Sequence, residues 1–269
     1  MSGAPVGIFD SGVGGLTVVR EIQRQLPRES VVYFGDTARV PYGSKSPETV
    51  IRFSKELASF LLSKGVKMIV AACNTASSVS LPALEEFCPV PVIGVIEPGA
   101  RAAAASTRNG IVGVIGTLGT ISSGAYQNAL RGIEGVKAVV AQPCPLLVPL
   151  VEEGWLDHEI TTRVVEEYMK PLKSEGIDTL VLGCTHYPLL KPVFGRVLGP
   201  GVTLVDSAEA AAAAVARRLG EDVEGMPGER APDYRFYVSD IPLKFQEIAQ
   251  RFLGRSIPLV TQVELGEAR

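Results

Sequence analysis

Two cysteines stand at matching places in two matching stretches of the chain. Asp178-Thr-Leu-Val-Leu-Gly-Cys-Thr-His-Tyr187 is an apolar run of strand type that stops at Cys184, Thr185 and His186. Val66-Lys-Met-Ile-Val-Ala-Ala-Cys-Asn-Thr75 has the same layout and stops at Cys73, Asn74 and Thr75. Sliding one onto the other puts Cys73 on Cys184 and Thr75 on His186. A thiol where a strand gives way to a helix is expected to have a lowered pKa, because the helix dipole favours the thiolate. The hydroxyl and amide groups beside it, with backbone N–H groups, can hold a carboxylate. Two single thiols opposed to each other suit inversion of a stereocentre. One takes a proton from one face of an α-carbon and the other returns a proton to the opposite face. At rest one should be thiolate and the other thiol. No lysine sits in a recognisable pyridoxal context, so no cofactor is expected.

Each feature has a plainer explanation to be weighed. A free cysteine is most often a small buried hydrophobe. That explanation suffices for Cys88 and Cys144 but not for a pair at equivalent positions. Zinc could use two thiols and an imidazole, yet the chain has no Cys-x-x-Cys and only two histidines, so no metal is expected. A redox disulfide between Cys73 and Cys184 would need the sulfurs in contact, leaving no room for a substrate. Asp10-Ser-Gly-Val-Gly-Gly15 follows a strand and opens a helix, where backbone N–H groups could face an anion. It lacks the Gly-Lys-Ser/Thr of a P-loop, and its third glycine is misplaced for the dinucleotide fingerprint. Taken alone it is a tight turn with Asp10 as a helix cap. A phosphate-binding module built on it would leave the paired cysteines unexplained.

The rest of the chain has to position these groups. It has 269 residues, enough for two modest domains or one large one. Its 29 acidic and 26 basic residues are interspersed, with a net charge of −3 and no basic stripe, which argues against nucleic acid and anionic membranes as partners. Met1 to Pro5 is too short for a signal peptide and no apolar run reaches spanning length. A cytoplasmic, reducing setting with free thiols is therefore expected.

Strands and helices alternate. Strands are expected at Val6 to Phe9, Val31 to Phe34, Val66 to Ala71, Val92 to Ile96, Gly110 to Ile115, Ala138 to Ala141, Asp178 to Leu182 and Val202 to Val205. Helices are expected at Leu16 to Leu26, from Ser46-Pro47 to Ser63, from Asn74 or Thr75 to Pro82 or beyond, and from Glu97-Pro98. Further helices follow from Gly119 through Leu130, at Pro145 to Glu153, at His158 to Ser174 and at Ser207 to Leu219. Gly220 to Pro232 reads as a linker, followed by a strand at Tyr234 to Val238, a helix at Pro242 to Phe252 and a strand at Leu259 to Val263. This order predicts α/β architecture with mainly parallel sheets.

The halves also match beyond the cysteines. Gly7-Ile-Phe-Asp-Ser11 is similar to Gly113-Val-Ile-Gly-Thr117, and Val95-Ile-Glu97 to Leu204-Val-Asp206, at offsets of 106 to 111 residues. The expectation is two quasi-symmetric open α/β lobes facing each other across one site. Residues 1–97 plus 208–269 would form one lobe and residues 98–207 the other. Ligands of open α/β sheets bind outside the carboxyl ends of the strands, where Asp10, Cys73, Thr117 and Cys184 are expected.

Four motifs occur in order: Asp10-Ser-Gly-Val-Gly-Gly15, Tyr33-Phe-Gly-Asp36 with Pro41-Tyr-Gly43, Ala72-Cys-Asn-Thr-Ala76, and Gly183-Cys-Thr-His-Tyr-Pro188. Together they resemble the glutamate racemase family from about Val6 to Leu253. The resemblance implies a cofactor-independent enzyme interconverting L- and D-glutamate for peptidoglycan precursors. It implies that Cys73 deprotonates D-glutamate with help from Asp10. Cys184 would deprotonate L-glutamate, helped by His186 and by Glu152. It further implies that Ser11, Tyr42, Gly43, Asn74, Thr75, Thr117 and Thr185 hold the substrate. Tyr42 and Glu152 enter through the resemblance alone. Members are often homodimers, but the chain shows no interface signature. A related racemase acting on aspartate or a hydantoin is the nearest alternative.

Overall fold

Short apolar runs, buried along their whole length at Val6–Asp10, Val31–Gly35, Met68–Ala71 and Thr179–Gly183 and less so towards the edges, build the sheets. The computed structural model describes residues 3–223, 231–257 and 259–265. In the first sheet β1 (Val6–Asp10), β2 (Val31–Gly35) and β3 (Met68–Ala71) are buried at every position, as expected of parallel strands covered on both faces. β4 (Val92–Gly94) completes one side, and β9 (Tyr234–Val238) and β10 (Val260–Gln262) the other. The order is β10-β9-β2-β1-β3-β4. The second sheet has β5 (Ile111–Gly116), β6 (Ala138–Pro143), β7 (Thr179–Gly183) and β8 (Thr203–Asp206) in the order β6-β5-β7-β8. All of these pairings are parallel. Strands β2-β1-β3-β4 thus reappear as β6-β5-β7-β8, which is the repeat seen in the sequence.

Register brings the chemistry together. Phe9 lies opposite Ala71 on β3, so two places further on Ser11 faces Cys73. Gly116 lies opposite Gly183 on β7, so one place further on Thr117 faces Cys184. For Cys73 this puts the Ser11 hydroxyl 3.5 Å from its sulfur; the Thr117 hydroxyl bonds Thr75 and Thr120 instead.

The helices are α1 (Leu16–Gln25), α2 (Pro47–Ser63), α3 (Asn74–Phe87), α4 (Ile96–Ser106), α5 (Leu118–Ser122), α6 (Ala125–Leu130), α7 (Leu147–Glu152), α8 (Glu159–Ser174), α9 (Lys191–Leu198), α10 (Ser207–Val223) and α11 (Pro242–Leu253). Ser46 caps α2, accepting from the Thr49 N–H, with Pro47 in its first turn. α8 turns Val165, Met169 and Leu172 into the core, with Val164 and Tyr168 packed against it. The largest apolar cluster runs from Val6, Val18 and Ile22 to Leu147, Leu180 and Tyr187, so one core underlies both sheets.

Several boundaries differ from the sequence reading. The strand expected to reach Ile96 ends at Gly94, and Ile96 already opens α4. The helix expected to run to Leu130 breaks into α5 and α6 at Gly124, whose φ of 68° no helix accommodates. A one-turn 3₁₀ helix (Tyr187–Leu190) and α9 follow β7, where no helix was expected. The linker expected at Gly220 to Pro232 begins later, because α10 continues to Val223. Residues 224–230 of that stretch lie outside the described residues.

The strand carrying Cys184 is anchored at its start. The Asp178 carboxylate accepts from Thr107 Oγ1 at 2.6 Å, Arg108 N at 2.7 Å and Asn109 N at 2.8 Å. Burial acts to raise its pKa, but these bonds and one from Thr179 outweigh it and hold the carboxyl at about 2. Its folded pKa therefore lies below the unfolded value near 4. The stabilisation is complete above that value and is lost as pH falls through about 2. Asp178→Ala should destabilise the protein by about 2–3 kcal/mol in urea unfolding at pH 7, with the gap to wild type closing in acid.

Candidate active site

The glycine turn after β1 is wrapped around a carboxylate. Asp10 is fully buried, and its Oδ2 accepts from Gly12 N at 2.9 Å. Burial raises its pKa, while His186 across the seam and the backbone N–H groups of Gly12, Gly15 and Ser11 oppose the rise. The N–H groups that the sequence offered to an external anion are therefore turned towards the chain's own Asp10. The expected helix cap is also absent: Gly15 takes the N-cap of α1 with no side-chain bond. Asp10 Oδ1 accepts no hydrogen bond among the described residues.

Gly14 sets how closely the two sheets approach. A Cβ there would lie 2.2 Å from Thr185 Oγ1 and 2.5 Å from His186 Nδ1. Only a hydrogen fits, so the turn presses directly on the Cys184-Thr-His186 stretch. Thr17 Oγ1 secures the contact, donating towards Gly14 O at 3.0 Å and Thr185 O at 3.1 Å.

The two cysteines differ in their neighbours. Both are 6% exposed. Cys73 is the N-cap of α3, and its Sγ lies 3.5 Å from Ser11 Oγ. Burial, reinforced by the negative charge of Asp10, pushes its thiol up to about 12, against the lowering pull of the Ala76 N–H and Ser11. The lowered value expected from the helix start is overturned because desolvation exceeds the dipole. Cys184 is followed by a 3₁₀ turn rather than an α-helix, so the helix start expected there is absent. Its neighbour is a cation instead. Cys184 Sγ is 3.9 Å from His186 Nδ1, and His186 Nε2 is 3.0 Å from Glu152 Oε1. Burial alone would lower the imidazole pKa. The hydrogen bonds and charges of Cys184 and Glu152 outweigh it and raise the value to about 10.

Three threonines form the polar floor. Thr75 Oγ1 lies 2.8 Å from Thr117 Oγ1 and 3.1 Å from Thr120 Oγ1, and Thr117 and Thr120 are 3.0 Å apart. Gly43 packs against them so closely that a Cβ would lie 2.7 Å from Thr117 Cβ. A cleft of about 290 Å³ opens alongside, lined in part by Gly43, Thr75, Leu118 and Gly119.

Two expected contact residues direct their side chains elsewhere. Tyr42 is buried with its hydroxyl donated to Asp36, which also receives Arg39 Nε at 2.7 Å. Its contribution to the site is to fix Gly43 beside it. Asn74 accepts from Tyr126 OH at 2.7 Å and donates to Ser207 Oγ at 3.4 Å, tying α3 to α6 and α10. Sequence reasoning missed Thr120, Tyr126 and Ser207. Thr120 was within reach of it, standing one turn after Thr117 on the same helix.

The family model for Asp/Glu/hydantoin racemase matches residues 6–215. The chain belongs to the Asp/Glu/hydantoin racemase family. It is an enzyme of the racemase class, and the resemblance to glutamate racemases holds over nearly its full length. A glutamate racemase of Syntrophus aciditrophicus is 54% identical over 261 residues, covering 97% of each chain. The structure of a glutamate racemase isoform from Bacillus anthracis superposes with a TM-score of 0.92 at 44% identity, covering 97% of this chain and 98% of that one. A glutamate racemase from Francisella tularensis, solved in complex with D-glutamate, superposes with a TM-score of 0.91 at 38% identity, covering 98% and 99%. The α/β class and the parallel sheets expected from the sequence are those of these racemases. Among the described residues no helix is long and apolar enough to cross a membrane, and no group of three or more His, Cys, Asp or Glu is arranged to hold a metal ion.

Two measurements test this geometry. The folded His186 pKa is raised above its unfolded value near 6.5. Its stabilising contribution is therefore complete below pH 6.5 and lost as pH rises through about 10. An NMR titration of the His186 ring should show it charged through pH 8, and Glu152→Gln should lower the midpoint. Gly14→Ala should cost about 1–3 kcal/mol and loosen the seam, so that Cys184 reacts with iodoacetamide faster than in the wild type.

Proposed function

We propose that this enzyme interconverts L-glutamate and D-glutamate without a cofactor, by proton transfer between Cα and two thiols. The reading rests on one observation: two buried thiols stand at equivalent strand ends with neighbours of opposite charge. Asp10 keeps Cys73 protonated, while the His186 cation provides a counter-charge for a thiolate at Cys184. That resting state is prepared for L-glutamate. The Cys184 thiolate takes the Cα proton, forming an S–H bond as the C–H electron pair stays on carbon. The Cys73 thiol then delivers its proton to the opposite face and is left as thiolate. Product D-glutamate leaves a protein with the roles exchanged, ready for the reverse reaction.

Each remaining residue has a place in this scheme. Asp10, with an acceptor oxygen still unpaired, takes up and returns the Cys73 proton. His186, already charged, takes up no further proton; it steadies the Cys184 thiolate through its Nδ1 side and is held in orientation by Glu152. Ser11, Thr75, Thr117 and Thr185 offer hydroxyls to the substrate's carboxylates and ammonium. Tyr42 and Gly43 contribute through their backbone, and Asn74 by holding the start of α3. The substrate assignment draws its support from the named activity of relatives at 52–54% identity and from the D-glutamate complex of the Francisella tularensis protein. We place the enzyme in the cytoplasm, supplying D-glutamate to peptidoglycan precursors and working as a homodimer. Its lobes are 1–97 with 208–269, and 98–207.

The deciding experiment is proton exchange. Purified protein with no added cofactor, given L-glutamate in D2O, should incorporate deuterium at Cα as optical rotation decays. If neither deuterium incorporation nor decay of rotation occurs, glutamate is not the substrate. Cys73→Ser and Cys184→Ser should each lower racemisation on the order of 10²–10⁴-fold, with circular dichroism unchanged, because a hydroxyl is too weak an acid to replace a thiol. Near wild-type rates in either variant would sink the two-thiol mechanism.

A further inference from the structure

The C-terminal helix reaches over to the second sheet and touches the His186–Glu152 pair from behind. The Phe252 side chain on α11 is fully buried, and its ring meets the His186 imidazole edge-on, with centroids 5.3 Å apart and planes at 86°. The preceding residue, Arg251, donates from its guanidinium to the Glu152 main-chain carbonyl. That carbonyl ends α7, where the negative end of the helix dipole favours a cation. α11 is itself fixed to the first lobe, since Arg20 donates to the Phe252 carbonyl at 3.1 Å. The imidazole therefore has Cys184 on one nitrogen, Glu152 on the other, and a phenyl wall on its ring.

We propose that Phe252 and Arg251 are positioning residues for the Cys184 half of the site. Phe252 fixes the plane of the His186 ring, and Arg251 fixes the α7 end that carries Glu152. Neither touches the reacting carbon. Towards the Cys73 half α11 makes a different contact: Phe245 packs against Tyr33, whose hydroxyl donates to Gly12 O. This inference rests on the two-thiol reading for its kinetic consequence but not for its structural one.

The experiment therefore reads both in the full-length enzyme. In wild type, the His186 Nε2–H proton bound to Glu152 should appear as a downfield NMR signal protected from exchange. Phe252→Ala and Arg251→Met should lose it, and Arg251→Lys, which keeps an N–H donor, should restore it. In kinetics, kcat should fall about tenfold or more, since small misplacements of a catalytic group are costly, while KM stays near wild type. Because the two enantiomers are equally stable, kcat/KM must fall equally in both directions, so the face is identified by isotope effects. The primary effect with α-deuterated L-glutamate should rise, and that with α-deuterated D-glutamate should not. Retention of the protected proton in both variants overturns the inference, whatever the activity. Isotope effects that rise equally on both faces also overturn it, since they report general loosening. If Phe252→Ala does not fold, the exposed Arg251 pair decides. If wild type does not racemise glutamate, the two-thiol reading fails while the proton signal still decides the positioning role.

Discussion

Charge buried in the seam between the sheets has to be compensated from across it. Asp10 comes from the first sheet and His186 from the second, and each lies in a setting that water does not reach. Their attraction offsets part of the desolvation that raises the Asp10 pKa, and Glu152 and Cys184 do the same for His186. Removing one partner strands another charge in low dielectric, which is far more costly than never having buried the pair. The close contact at Gly14, the Thr17 bonds and the shared apolar core all serve to keep these groups together and dry.

This arrangement also explains why two chemically identical thiols can behave differently. The strand repeat provides the same frame twice, placing each cysteine just beyond its strand, two residues on for Cys73 and one for Cys184. Symmetry then ends at the neighbours: a carboxylate stands near one sulfur and an imidazolium near the other. A repeat in the backbone is thus combined with side-chain neighbours of different kind, Asp10 on one side and His186 on the other.

Much of this was legible in the chain. Fully buried strands such as Val31 to Phe34 leave unbroken apolar runs, and Ser46-Pro47 marks a helix start with little ambiguity. The helix after Tyr187 was hidden because Pro188 and Pro192 read as breakers, although proline is tolerated in the first turn of a helix. Val92 to Ile96 was overextended because β-branched residues suit a strand and a buried helix start alike. In the site, the cysteines, Asp10, Thr117 and His186 could be located from strand ends alone. Their energetics could not. The sequence shows a helix start beside Cys73 but not the burial that reverses its effect, and it shows glycines without showing which carboxylate their N–H groups would face. Glu152 entered beside His186 through the resemblance alone, because the two are brought together only by tertiary packing, 34 residues apart.

The threonine floor has a consequence for binding. Thr75, Thr117 and Thr120 satisfy one another, so their hydroxyl rotors are already held, with Thr75 and Thr120 buried and Thr117 half-buried. A carboxylate entering there exchanges one set of short polar contacts for another, with little side-chain freedom left to lose. The site therefore meets its guest with a surface that is rigid yet exchangeable.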